Sequence, residues 1–323
     1  MNCAIHTEGL VKIFGRVAAV DGMNLDVPEG AIYALVGPNG SGKTTTIKLL
    51  MNILRPTAGR AEVLGIDSRA FAGKAFERVG YVSENQDMPE WMTVKYLLDY
   101  CRGFYPKWDE ELARQLVGQL DLPLDRKLKH LSRGMKMKAA FASVLAYRPS
   151  LIVLDEPFTG LDPLVRDELI EGLLDRAAEA TIFISSHDLG EIETFASHVG
   201  YLEKGRLRFS EEMTLLSDRF RDVTVTLASP ATLPPRLPAA WLQPQSADCV
   251  VRFVHSDFKG EETQREIADV FPATRDVACE PMSLRAIFLA VAKASRADGE
   301  RAGGEAEAGE AKAGHSKAGR SAA

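Results

Sequence analysis

Gly37-Pro38-Asn39-Gly40-Ser41-Gly42-Lys43-Thr44 fills every fixed position of G-x-x-x-x-G-K-[ST], the P-loop or Walker A pattern that binds nucleotide phosphates. An apolar run of strand length, Ala31-Ile32-Tyr33-Ala34-Leu35-Val36, precedes it, and Thr45-Thr46-Ile47-Lys48-Leu49-Leu50-Met51 follows as a helix. Strand, glycine loop and helix form the context the motif needs. Its glycines let backbone N–H groups curl around anionic oxygens with no Cβ in the way. The helix start adds partial positive charge at the same point. In such a loop Lys43 reaches the β- and γ-phosphates, and the Thr44 hydroxyl is a ligand for Mg²⁺. The competing reading is a glycine-rich turn that binds nothing; the match at every fixed position and on both flanks weighs against it.

Working outward, 323 residues suffice for two domains. The net charge of −6, from 39 basic and 45 acidic residues, gives no sign of a nucleic-acid partner. Cys3, Cys101, Cys249 and Cys279 are scattered, which argues against a disulfide framework or a zinc site and fits buried free thiols in a reducing cytosol. No apolar run has the length of a membrane span, and the start of the chain lacks the regions of a signal peptide. Any work at a membrane would need a partner that supplies the spans.

Short strands and turns fill Ala4 to Val27, with Phe14 upstream of the P-loop. Phe14 is either a stacking platform for an adenine ring or an ordinary core or edge aromatic. Beyond Arg55-Pro56-Thr57-Ala58-Gly59, the segments Ala61–Gly65 and Arg78–Ser83 read as strands. Residues 88 to 147 change character. Trp91–Phe104 and Asp109–Leu120 carry apolar residues at helical spacing, a helical insert in an otherwise alternating α/β chain. Leu131-Ser132-Arg133-Gly134-Met135 then opens another helix, with Ser132 where an N-cap belongs.

Ser150-Leu151-Ile152-Val153-Leu154-Asp155-Glu156-Pro157 reads as a strand buried on both faces and ending in two carboxylates. Asp155 stands where it can hold Mg²⁺ directly or through water, and Glu156 beside it can polarise an attacking water. The alternative, a pair of exposed loop acids, sits poorly with a P-loop upstream in the same chain. Thr181–Ser185 is a further buried strand that runs into Ser186-His187-Asp188. Open α/β sheets bind ligands at the C-terminal ends of their strands, so His187 joins the candidate site.

With these pieces in order, the chain resembles the ATPase subunits of ATP-binding cassette (ABC) transporters over roughly Ile5 to Ser217. The resemblance implies an α/β P-loop NTPase cassette: a RecA-like core, an antiparallel β subdomain and a helical subdomain. It implies ATP and Mg²⁺ as ligands. Phe14 then matches the adenine-stacking aromatic, Gly37 to Thr44 with Thr45 the phosphate loop, and Leu131 to Met135 the signature usually written Leu-Ser-Gly-Gly-Gln. Leu151–Glu156 matches Walker B with Glu156 as catalytic carboxylate, Gly160-Leu161-Asp162 the D-loop, and His187 the switch histidine. Ser132 and Gly134, which in the family face the γ-phosphate of the other subunit's ATP, are kept.

Two motifs depart from the family. Arg133 and Met135 replace Gly and Gln in the signature, and Glu84 stands where the family has the Q-loop glutamine, with Gln86 two residues on. Glu84 remains able to ligate Mg²⁺ or a water; whether Gln86 substitutes stays open. Arg133 and Ser83–Asp87, with Trp91-Met92-Thr93 behind, resemble the drug- and antibiotic-exporting subgroup related to bacitracin-resistance transporters. The implied partners are a polytopic membrane permease and a second ATPase subunit, which places the chain on the cytoplasmic face of the membrane. The permease would enter a groove near Glu84 to Thr93, where Trp91 and Met92 either touch it or pack within the insert. The other readings are a soluble ABC ATPase of repair or translation and a nucleotide-dependent adaptor with little hydrolysis.

The sequence thus divides into an ATPase domain over 1–216, a small α+β appendage over 217–295, and a disordered low-complexity tail over 296–323. In the appendage Arg221–Leu227, Cys249–Val254 and Arg275–Cys279 read as strands, and Gly260–Phe271 and Met282–Lys293 as helices. Ala228–Pro244, rich in Pro, Ala and Leu, reads as a connection.

Overall fold

The computed structural model describes residues 2–84, 86–230 and 232–294. The chain divides into two compact units at Met213/Thr214. The expected low-complexity tail lies outside the described residues.

The first unit holds two sheets. One is antiparallel, in the order β2-β1-β4-β5, from β1 (Cys3–Phe14), β2 (Val17–Pro28), β4 (Ala58–Val63) and β5 (Ile66–Asp67). The other is six-stranded, in the order β10-β9-β3-β8-β7-β6. It comprises β3 (Ile32–Val36), β6 (Val79–Ser83), β7 (Leu151–Asp155), β8 (Thr181–Ser186), β9 (His198–Glu203) and β10 (Arg206–Glu212). Strands β9, β3, β8, β7 and β6 are parallel, and β10 closes one edge antiparallel. Every residue of β3, β7 and β8 is buried, as a parallel sheet covered on both faces requires. Ile5, Leu25, Val63, Leu35, Val153 and Phe183 belong to one continuous core, so the two sheets share an interior.

Parallel pairing brings the strand ends together. Val36 is level with Ser186, Asp155 with Ser185, and Ser83 with Asp155. The P-loop, the two carboxylates, His187 and Glu84 therefore all leave the sheet at its C-terminal edge. The helices are α1 (Lys43–Leu50), α2 (Val94–Arg102), α3 (Glu110–Gln119), α4 (Arg133–Leu145), α5 (Pro163–Ala177) and α6 (Leu189–Ile192). Side-chain caps set five of these starts: Thr93, Asp109, Ser132, Asp162 and Asp188 each accept from a backbone N–H two or three residues on. Thr93 thereby starts α2 later than the apolar spacing from Trp91 suggests. Met92 turns inward, 5% exposed, while Trp91 is 62% exposed. Of the two candidate partner contacts, Met92 packs within the insert and only Trp91 faces out.

After α7 (Met213–Arg219), the second unit forms an antiparallel sheet in the order β12-β13-β11-β14. Its strands are β11 (Arg221–Leu227), β12 (Trp241–Ala247), β13 (Val250–His255) and β14 (Thr274–Pro281). Helix α8 (Glu261–Val270) and a last helix over 284–294 complete it. Val223, Val225, Trp241, Phe253, Ile267 and Phe271 build its core, with the Trp241 and Phe253 rings stacked at 3.9 Å. The end of the stretch expected as a connection is thus a strand. Pro244 is tolerated because β12 is an edge strand whose register breaks between Leu242 and Gln245, with Gln243 at φ +52°. All four cysteines are free, as expected, but half-buried rather than buried.

Candidate functional site

The loop that leaves β3 is held to the sheet by close backbone contact. A Cβ on Gly37 would lie 2.1 Å from the Leu202 carbonyl oxygen, and one on Gly42 would lie 2.2 Å from that of Ala19. Gly42 also occupies a left-handed conformation at φ +112° and is the N-cap of α1, with no side chain capping the helix. The first N–H groups of α1 are therefore open to an anion. Ser41 Oγ is buried without a hydrogen-bond partner in the same loop. A cleft lined by Asn39 to Thr45, Ala19, Glu84, Glu156, Thr159 and His187 runs along this turn.

Lys43 is only 5% exposed, and its ammonium donates to the carbonyl oxygens of Gly37 (2.7 Å) and Pro38 (3.3 Å). Its Nζ also lies 3.0 Å from Glu156 Oε1. The other oxygen, Oε2, is 2.7 Å from His187 Nδ1 and accepts from Thr159 Oγ1 at 3.1 Å. Burial alone pushes the Glu156 carboxyl up, but the bonds from His187 and Lys43 outweigh it and hold it below its ordinary value. Glu156 is thus an anionic acceptor at neutral pH, as an acceptor for a water's proton has to be.

The second centre is Asp155. Its Oδ1 accepts from Thr44 Oγ1 (3.0 Å) and from Ser185 Oγ (2.7 Å). Burial, with help from the neighbouring Glu156 charge, raises this carboxyl despite both hydrogen bonds. A buried carboxylate beside a hydroxyl, both oxygen donors, suits a hard divalent cation. Among the described residues, no group of three or more His, Cys, Asp or Glu forms a metal cage. One hydroxyl and one carboxylate fit Mg²⁺, which keeps most of its shell from water and substrate phosphate.

Glu84 lines both this cleft and its continuation with Gln86, Tyr81 and Lys48. Its backbone N–H donates to the Asp155 carbonyl at 2.9 Å, while its carboxylate is taken by Arg133. Gln86 stays at the cleft wall. Ser132 and Gly134 do not line this cleft; Ser132 Oγ caps α4 by accepting from Met135 N–H (3.2 Å). Phe14, at the end of β1, is also outside the lining and is 47% exposed, with Lys12 Nζ 5.1 Å from its ring centre.

Two participants escaped the sequence reading. Ser185 binds Asp155 and also accepts the Glu156 N–H (3.0 Å), and Thr159 holds Glu156. The signal for Ser185 was present: a polar residue closing a buried strand, as Asp155 does. It becomes informative only when β7 and β8 are known neighbours in register.

Residues 20–159 match the sequence profile of a family described as ABC transporter. The daunorubicin/doxorubicin resistance ATP-binding protein DrrA of Streptomyces peucetius is 34% identical over 212 residues. These make up 63% of this chain and 64% of DrrA, so the chain spans less than two thirds of that relative. The bacitracin transport ATP-binding protein BcrA of Enterococcus faecalis is 34% identical over 229 residues, 69% of this chain and 74% of BcrA. Among solved structures, an ATP-binding subunit of an ABC transporter superposes with a TM-score of 0.62 at 25% identity, covering 67% of this chain and 92% of that one.

Proposed function

The chain belongs to the ABC transporter ATP-binding proteins, and from that premise we propose that it binds and hydrolyses ATP to power a membrane exporter of drugs, antibiotics or peptides. The observation that carries this reading is the convergence, at one sheet edge, of the Thr44–Asp155 pair and the Lys43–Glu156–His187 chain of contacts. The cargo class rests on the resistance and transport functions in the relatives' names.

In this reading the triphosphate lies along Gly37 to Thr45, with loop N–H groups, Ser41 and Lys43 on its oxygens and Phe14 against the adenine. Thr44 and Asp155 would hold Mg²⁺, with Glu84 and Gln86 in the cleft beside them; when bound, the ion would supply positive charge against the phosphates. Glu156 orients a water and accepts its proton as the water oxygen bonds to the γ-phosphorus. The bond to the β-bridging oxygen then breaks, giving ADP and phosphate. His187 reports the γ-phosphate by hydrogen bonding to it. Because Ser132 and Gly134 lie off this chain's own cleft, they serve a second ATPase subunit, head to tail.

The permease partner is expected on the helical insert. Trp91, Tyr96, Tyr100 and Phe104 are each about half exposed or more, with ring centres 5.3 Å apart for the first pair and 5.0 Å for the last. Such an aromatic ridge fits a short amphipathic helix of a membrane protein. No described helix of this chain is long and apolar enough to cross a membrane itself. The ATPase role falls to residues 1–216, and the chain would work on the cytoplasmic face through its permease. Purification in mild detergent tests the assignment: a polytopic membrane protein is expected to accompany the chain, together with Mg²⁺-dependent ATP hydrolysis. A chain that hydrolyses ATP and never carries a membrane partner would instead favour the soluble ATPase reading.

A further inference from the structure

Two of the three residues that depart from the family motifs, 49 positions apart in sequence, meet in space: Arg133 donates through Nη2 to Glu84 Oε1. The electrostatics of α4 explain why they need each other. A helix N-terminus carries about half a positive charge. This one opens with Arg133 and, three residues on, Lys136, and has no acidic residue in its first turn. Glu84 supplies the anion that this helix start lacks. Conversely, without Arg133 the Glu84 carboxylate would face the phosphate cleft uncompensated. The backbone of Glu84 is anchored to the Asp155 carbonyl, so the pair links the Ser132–Gly134 turn to the edge that carries Glu156. The same guanidinium borders the D-loop, where a Cβ on Gly160 would lie 3.1 Å from Arg133 Nη1.

We propose that Arg133 and Glu84 are one positioning unit, which orients the Ser132–Gly134 turn for closure over the nucleotide of a second copy of this chain. The proposal rests on the reading of the chain as a cassette that closes over ATP. Each substitution is then tolerated because of the other. The two side chains are 47% and 26% exposed, and an ion pair so placed adds little to folding stability. Its loss is therefore felt in ATP-driven closure.

The test uses the full-length chain with Glu156→Gln in every variant. Binding of a fluorescent ATP analogue is measured alongside the ATP concentration that gives half-maximal dimer in sedimentation. E84Q and R133G should each raise that concentration about tenfold, with an unchanged melting temperature in the absence of nucleotide. The double variant E84Q/R133G should return to within about threefold of the parent, and the exchange E84R/R133E should recover part of the loss. Single effects that simply add in the double variant, or a chain that binds ATP yet stays monomeric, would overturn the proposal. A parent that binds no ATP analogue would take down the cassette reading, and the proposal with it.

Discussion

Lys43 and Glu156 face each other at 3.0 Å across the P-loop, with the lysine also tied to two loop carbonyls. In the proposed reading, an arriving γ-phosphate would compete for that ammonium. Transfer of Lys43 from carboxylate to phosphate would leave Glu156 Oε1 free to take a water, so that substrate binding and preparation of the acceptor would be a single exchange of partners.

Glu156→Gln keeps the shape of this contact and removes its charge. Turnover should fall about 10²- to 10⁴-fold, the usual contribution of a positioned acid–base group. ATP binding should persist, and size exclusion with ATP should show a dimer that the parent loses as it hydrolyses. Hydrolysis at the parental rate would sink the role given to Glu156.

Asp155→Asn should separate stability from activity. The folded-state pKa of Asp155 is raised, chiefly by burial, so the folded chain binds that proton more tightly than the unfolded chain. Stability contributed at this position therefore falls as pH rises through and above the ordinary carboxylate range. Asn stays neutral and can still accept from Thr44 and Ser185. At neutral pH the nucleotide-free variant should gain on the order of 1 kcal/mol and melt about 2–4 °C higher. The gain should vanish below the ordinary carboxylate range, while Mg²⁺-dependent hydrolysis is lost. Calorimetry across pH checks the sign.

Two glycines of one loop should answer differently to alanine. At Gly40, φ is +78° and no atom lies within 4 Å of a new Cβ, so the cost is backbone strain alone, about 1–2 kcal/mol. At Gly42 the strain at φ +112° is joined by contact with the Ala19 carbonyl, and a loss of about 2–4 kcal/mol is expected. Denaturant unfolding of G40A and G42A measures the difference.

Trp91→Ser and Phe104→Ser change exposed rings of the insert. Both variants should bind and hydrolyse ATP like the parent in isolation, yet recover several-fold less membrane protein in detergent purification. Undiminished recovery would remove the aromatic ridge from the docking surface.

Strands β3, β6, β7 and β8 were legible because each is a short apolar run that cannot bury itself except between helix layers, whereas β9 and the alternating edge strand β10 were not read from the sequence. The P-loop was legible because its fixed glycine, lysine and threonine positions form a spaced pattern, although the close backbone packing of Gly37 and Gly42 was not. Pairings across sequence were not. Nothing local says that Ser185 neighbours Asp155, that Glu84 finds Arg133, or that Met92 turns in while Trp91 turns out. Those facts depend on strand order, helix register and the Thr93 cap. The strand at Trp241 was hidden by Pro244, whose cost depends on lying at a sheet edge.

Glu156 itself stands in left-handed backbone, at φ +51°. That conformation suits Gly, Asn and Asp better than it suits Glu. Exchange of this glutamate for asparagine would relax the backbone, but it would also take the charged partner from the buried Lys43 ammonium and shorten the reach to His187 and Thr159. The glutamate therefore sits against its own backbone preference, held there by the contacts its carboxylate makes.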